Sequence, residues 1–402
     1  MSALSIGLFT YSSKPRGSVV HAACLAEALA GAGHDVTLYA LEKEGEGFFR
    51  PLRCRLLLVP ARPAPSAIET LVAQRIEELA DFLTTLRPEH DVAHAQDCLS
   101  ASGLLVARTR GVLSSALLCR TVHHVEQFES PYLERCQARS IREAELCLSV
   151  SRATQRDVLA SYGRPSSLVS NGVELARFAQ HSPPDAADLR AKLAIAIDAP
   201  LVVSIGGVEP RKNTLSMLDA FLAARRSRAA LRWVIAGGAS IFEHADYRAA
   251  FAARLAELDP ESRAAVVQVG LLSERDLTLL LQSADVLLHT SRQEGFGLCV
   301  LEAMAAGTRV VVSRGAPFDE YLDDSCALRV DAARPSDIAC ALLSALLPAP
   351  ESLATARARA ARYSWQGCAE QHQAAYRSMP SGVSSARHTP GEAHASTRGS
   401  DA

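Results

Sequence analysis

Two glutamates eight positions apart, Glu294 and Glu302, bracket the run Glu294-Gly-Phe-Gly-Leu-Cys-Val-Leu-Glu302, which continues as Ala-Met-Ala-Ala-Gly307. The apolar stretch 286–290 before it reads as a buried parallel strand. Gly295 and Gly297 let the backbone come close to a ligand. A helix is predicted over Leu298–Ala306, ended by Gly307. The run thus offers a loop carboxylate, the free amides of Phe296, Gly297 and Leu298 at a helix N-terminus, and a second carboxylate on the helix. Loop carboxylates accept hydrogen bonds from hydroxyls, and helix N-termini attract phosphate. A ligand with hydroxyls at one end and phosphate at the other suits that set. The spacing of the two glutamates alone would equally describe a solvated, capped helix.

A second constellation is basic. The chain has 38 arginines but only four lysines, Lys14, Lys43, Lys192 and Lys212. Against that bias Lys212, directly after Arg211 in a turn that follows a predicted strand, stands out as a retained cation beside a second one, and paired cations of this kind suit phosphate.

The elements that must position these residues alternate along the chain. Strands are expected at 5–10, 35–40, 54–59, 92–95, 116–121, 146–150 and 168–169, and again at 201–205, 232–236, 266–269, 286–289 and 309–313. Helical patterns such as 19–32, 69–86, 214–223 and 276–283 lie between. This is the signature of parallel α/β sheets. A break near 179–200, where His-Ser-Pro-Pro-Asp precedes a short helix, divides the chain. The expected organisation is a Rossmann-like domain over 1–180, a linker over 181–200 and a second such domain over 201–350. Ligands in such sheets bind at strand C-terminal ends, here in a cleft between two sheets. Residues 380–402 are rich in Ser, Gly, Pro, Thr, Ala and His and read as disordered.

The run 294–302 resembles the Glu-x7-Glu motif of the family-4 retaining glycosyltransferases, whose fold is GT-B. The resemblance covers roughly residues 1–378. It implies that Glu294 contacts a donor sugar and Glu302 the nucleotide ribose. The segment 204–213 resembles the family's Gly-Arg-x-x-x-x-Lys, which grips the donor diphosphate. Lys212 falls on the Lys position, but Gly207 stands where the family has Arg, so Arg211 is the candidate replacement. Lys14-Pro-Arg-Gly17-Ser18 resembles the N-terminal glycine pair near the diphosphate, with Ser18 in place of the second glycine. His123, in Arg120-Thr-Val-His123-His124, matches a histidine lying over the donor sugar. Asn171-Gly172-Val173-Glu174 resembles a structural turn, and Glu320 matches a loop glutamate. Helix 363–378 resembles the family's C-terminal helix, which crosses back onto the first domain with Trp365 as a packing anchor. Gly237-Gly238 and Gly270-Leu271, at later strand ends, are candidates to flank a base.

The implied activity is a metal-independent, retaining transfer of sugar from a nucleotide-sugar to an unnamed acceptor. A sugar-nucleotide epimerase and a non-catalytic sugar-nucleotide-binding protein are the rivals. No metal and no cofactor are expected, since the chain has no Asp-x-Asp and its one adjacent pair is Asp323-Asp324. His90-Asp-Val-Ala-His94 is not a zinc helix motif. It follows Pro88, reads as a strand that would separate the two rings by ~13 Å, and lacks the required Glu. Lys14–Ser18 is not Gly-x-Gly-x-x-Gly, which argues against NAD or FAD. Gln96-Asp97 is a candidate acceptor lining. A net charge of -2 gives no sign of a nucleic-acid partner. No apolar run reaches the ~18 residues of a membrane helix, and the start reads as a strand rather than a signal peptide. Ten cysteines without paired spacing read as free thiols in a reducing, cytoplasmic setting. Phe48-Phe49-Arg50 is more readily a solvated loop than a membrane contact.

Overall fold

The computed structural model describes residues 2–179, 183–238 and 244–379. The segment 380–402, expected to be disordered, lies outside them.

Seven strands make the first sheet: β1 (Ser5–Thr10), β2 (Asp35–Glu42), β3 (Arg55–Pro60), β4 (Val92–Ala95), β5 (Leu117–Val122), β6 (Leu146–Ser149) and β7 (Ser167–Leu168). Their order is β3-β2-β1-β4-β5-β6-β7. Six make the second: β8 (Leu201–Ile205), β9 (Arg232–Ala236), β10 (Val266–Gly270), β11 (Val286–His289), β12 (Arg309–Ser313) and β13 (Leu328–Val330), in the order β10-β9-β8-β11-β12-β13. Every pairing is parallel. Both orders reverse beside the first strand of the sheet, at β1/β4 and β8/β11, where doubly wound folds bind ligands. The short edge strand β13 is the one element of either sheet that the sequence pattern does not announce. Its three residues carry too little periodicity.

The strands are apolar because helices cover both faces. Ile6, Leu8, Leu38 and Leu148 pack under helix Gly17–Gly31 through Ala22, Leu25 and Leu29. Val202, Trp233 and Leu288 pack under helix Thr214–Arg225 through Met217 and Phe221. The linker stretch contains the expected short helix, Pro183–Lys192. Leu189, Ile195 and Ala199 are buried beside Val234 and Leu280 of the second sheet's layer.

The last helix, Trp365–Ser378, returns to the first sheet, where Cys368, Ala369 and Tyr376 join the core that holds Ile6 and Leu148. Ser364 caps its start by accepting from the Gly367 amide at 3.0 Å. Trp365 packs edge-on to His21, 5.5 Å between ring centres, as an anchor should. Phe48 and Phe49 pack on this core as well, half-buried rather than solvated. No single described helix is long and apolar enough to cross a membrane.

Candidate active site

Because β8 and β11 are neighbours, the loops leaving their C-terminal ends face each other. The loop after β8 carries the tight turn Pro210–Lys212, and the loop after β11 carries Glu294. Lys212 Nζ donates to Glu294 Oε2 at 2.7 Å. The same oxygen lies 3.1 Å from His289 Nε2 and 3.5 Å from Arg211 Nη1. Arg211 also donates to the Gln293 carbonyl at 3.3 Å. Burial by itself would push the Glu294 carboxyl up. Lys212 first, then the His289 hydrogen bond and Arg211, together outweigh it and hold the group well below the usual carboxylate range. Burial and then Lys212 lower His289, so its ring is neutral.

The departure at position 207 has a structural cause. Gly207 has φ +74°, and a Cβ there would meet the Gly238 carbonyl oxygen at 2.9 Å. An arginine does not fit that backbone. The guanidinium that reaches the site is Arg211.

Glu302 sits elsewhere. It faces a cavity of about 380 Å³, shared with Val20, Glu27 and Arg50 from the first unit and with Arg177 and Glu274. Arg177 Nη1 lies 3.4 Å from its carboxylate. Burial raises the Glu302 carboxyl, Arg177 opposes, and Glu274 adds to the rise. Arg50 spans the cleft here, 2.8 Å from Glu27 and 3.2 Å from Glu274.

The first sheet supplies the facing wall. His123 follows β5, and its Nε2 is 3.1 Å from Gln96 Oε1. Its ring stands edge-on to His21, 4.8 Å between centres. Burial, then His21 and Arg120, hold it well below the ordinary histidine value, so it is neutral. The two walls touch at Gly295, where any Cβ would collide with the His123 carbonyl oxygen. Gln293 Nε2 donates to the Val125 carbonyl at 2.9 Å in the same seam.

The remaining expected residues are placed as follows. Gly17 and Ser18 open helix Gly17–Gly31, whose start no side chain caps. Phe296 points into the core, stacked on Tyr321 at 5.0 Å, so only its backbone is left for a ligand. Gly297 is the residue before helix Leu298–Ala306, and Leu298 is its first. The Gly270 carbonyl accepts from the Gly237 amide at 2.7 Å. Leu271 is exposed and lies against Gly238. Asp97, expected near an acceptor, instead caps helix Cys98–Thr109, accepting from the Ser100 amide at 2.7 Å. Glu320 caps helix Arg152–Tyr162 from the other unit, accepting from the amides of Arg152 and Ala153 at 2.8 and 2.7 Å. Asp323 and Asp324 are paired with Arg359 and Arg329.

Sequence reasoning missed three residues. His289 was read only as part of a strand, although a polar residue ending an apolar strand is a usable signal. Arg177 and Arg50 meet their carboxylates only through tertiary packing and carry no local sign.

Two parallel sheets facing across such a cleft define the GT-B class of glycosyltransferases. The model for Glycosyltransferase Family 4 matches residues 15–177, and the model for Glycosyl transferases group 1 matches residues 185–362. The chain belongs to this glycosyltransferase family. It is 27% identical to the MMP alpha-(1->4)-mannosyltransferase of Mycolicibacterium hassiacum, over 93% of this chain and 98% of that protein. It is 29% identical to the D-inositol 3-phosphate glycosyltransferase of Geodermatophilus obscurus, over 71% of this chain and 66% of that one. Its fold matches Anabaena Alr3699/HepE, solved with UDP and glucose, with a TM-score of 0.74 at 18% identity over 94% of this chain and all of that one. It also matches WaaG, a glycosyltransferase of lipopolysaccharide biosynthesis, with a TM-score of 0.69 at 19% identity over 92% and 98% of the two chains.

Proposed function

We propose that this glycosyltransferase takes its sugar from a nucleotide-sugar, retains the anomeric configuration and uses no metal. The observation that carries the reading is the clamp in which Lys212, Arg211 and His289 converge on one oxygen of Glu294. It puts two cations and an ionised carboxylate within one side chain's reach, below the start of helix Leu298–Ala306. A departing diphosphate builds negative charge. Fixed cations and helix amides meet that charge without a divalent ion. An ammonium has three N–H donors, so Lys212 can stay on Glu294 and still offer two to phosphate. Glu294, kept ionised, accepts from sugar hydroxyls. Glu302, in its cavity, takes the ribose, and Gly17 and Ser18 close over the phosphates from the first sheet. The neutral His123 ring accepts from the sugar across the seam. Glu294, the one carboxylate in the clamp, is tied up by Lys212. That suits front-face attack, in which the leaving phosphate takes the acceptor's proton.

The relatives' names support this reading. One is a mannosyltransferase, one acts on an inositol phosphate, and a structural neighbour is described with UDP-glucose. Arg211 at the clamp supports transfer over a binding protein that lacks phosphate-gripping cations. The test is turnover of labelled nucleotide-sugars with and without a panel of acceptors. Sugar appearing on an acceptor supports the proposal. Interconversion of donor sugars without acceptor identifies an epimerase, and tight binding without turnover a binding protein.

A further inference from the structure

A second polar cluster lies outside the donor site, where the returning helix Trp365–Ser378 packs on helix Gly17–Gly31. His21, Cys368 and His372 each offer a ligand atom there, all within 4.8 Å of one another and all buried. Cys368 and His372 are one helical turn apart and share a face.

The hydrogen bonds around the two rings are specific. His21 Nδ1 faces Asn171 Oδ1 at 2.8 Å, and His372 Nδ1 faces the Cys368 carbonyl at 2.8 Å. Both partners are acceptors, so each Nδ1 carries the proton and each Nε2 presents its lone pair. Neither Nε2 has a hydrogen-bond partner among the described residues, although both are buried. The neighbouring His94 is the contrast. Its Nδ1 meets Tyr376 OH at 2.8 Å and its Nε2 meets Thr121 Oγ1 at 2.7 Å. His94 thus has both nitrogens satisfied, while His21 and His372 each keep one bare. Two fully buried rings with one nitrogen pinned to an acceptor and the other left bare have the arrangement of metal-ligating histidines, whose far N–H is held by an outer partner.

We infer that His21, Cys368 and His372 form a structural site for a zinc-class cation. Two imidazoles and a thiolate are borderline-to-soft ligands and select zinc over magnesium or calcium. The three residues supply three of the four positions of a tetrahedral ion, and bonds of about 2.0–2.3 Å set them closer together than 4.8 Å, so binding draws the two helices inward slightly. On binding, the Cys368 thiol passes its proton to solvent and its sulfur bonds the metal. The ion ties the returning helix to the helix that begins at Gly17. It is separate from the Lys212–Glu294 clamp and lies behind His123, which stands edge-on to His21.

The test uses the full chain. Elemental analysis of the purified protein should find about one zinc per chain, lost in both Cys368→Ser and His372→Gln. The cobalt-substituted protein should show a thiolate-to-metal charge-transfer band that Cys368→Ser abolishes. If either variant fails to fold, the wild type decides: stripped of metal, it should gain Tm on adding zinc and not on adding magnesium. Zinc below about a tenth of an equivalent with no zinc-dependent rise in Tm overturns the inference. So does zinc retained in full by both variants, which would locate it on other residues.

Discussion

The two walls of the cleft are built on different electrostatic terms. The second sheet's wall is ionic: Lys212, Arg211 and Glu294 within 3.5 Å of a shared oxygen. The first sheet's wall is neutral: His123 and Gln96, the ring kept uncharged by burial and hydrogen-bonded to the amide. The difference follows from what each faces in the proposed reaction. A leaving diphosphate needs fixed positive charge, while a sugar ring needs hydrogen-bond partners that do not trap it. Neither wall is local in sequence: Lys212 and Glu294 are 82 positions apart, Gln96 and His123 27.

Breaking the ionic wall should have the largest effect. Lys212→Ala is expected to lower kcat by ~100-fold, on the order of 3 kcal/mol, with a much smaller loss of nucleoside affinity. Steady-state kinetics beside a nucleoside titration reads both, and wild-type turnover would remove Lys212 from the mechanism.

Separating the walls should come next. In Gly295→Ala the new methyl collides with the His123 carbonyl, so the Glu294 loop must retreat from the first sheet. A fall in kcat of tens of fold is expected, since small misplacements in a site are expensive. Unchanged kcat with lowered Tm would make the contact purely structural.

The two glutamates should then part company. Glu302→Gln is expected to weaken nucleoside diphosphate binding by about tenfold, while Glu294→Gln slows transfer and spares that affinity. Calorimetric titration of both variants with the diphosphate alone decides it. Equal losses would mean that the separate placements of the two carboxylates have no functional counterpart.

A smaller effect concerns pH. The folded-state pKa of Glu294 is depressed, so its ion pair contributes stability above the unfolded carboxylate value of about 4.3 and loses it as pH falls through the lower folded value. The Tm gap between wild type and Glu294→Gln should hold from neutral pH down to about 4.3 and close below it. A gap that closes at higher pH would mean that Lys212 does not hold the carboxylate as the geometry implies.

No effect is expected from chelator on the initial rate, nor from added magnesium or manganese. Zinc held at His21, Cys368 and His372 would show its removal in Tm rather than in rate at low temperature. A rate lost in EDTA and restored by magnesium would reveal a divalent ion at the diphosphate.

What the chain reveals by itself is what short-range rules govern. All twelve expected strands recur within two residues of the observed bounds, eleven of them within one, because a parallel strand covered on both faces must be apolar. The Glu294–Glu302 run and the Lys212 turn were legible because each functional side chain sits a fixed distance from a strand end or helix start. Tertiary structure decided the rest. It turned Asp97 and Glu320 from candidate site residues into helix caps, the latter across units, because a carboxylate satisfies whichever bare amides packing brings to it. It excluded arginine from position 207 through a backbone angle that no residue pattern prints. It brought His289 to Glu294 and Arg177 to Glu302, and it gathered His21, Cys368 and His372 from opposite ends of the chain. Local sequence fixes which groups an element presents. Only the closing of two sheets and a returning helix fixes which of those groups meet, since Coulomb and hydrogen-bond terms act over a few ångströms of space and are indifferent to separation along the chain.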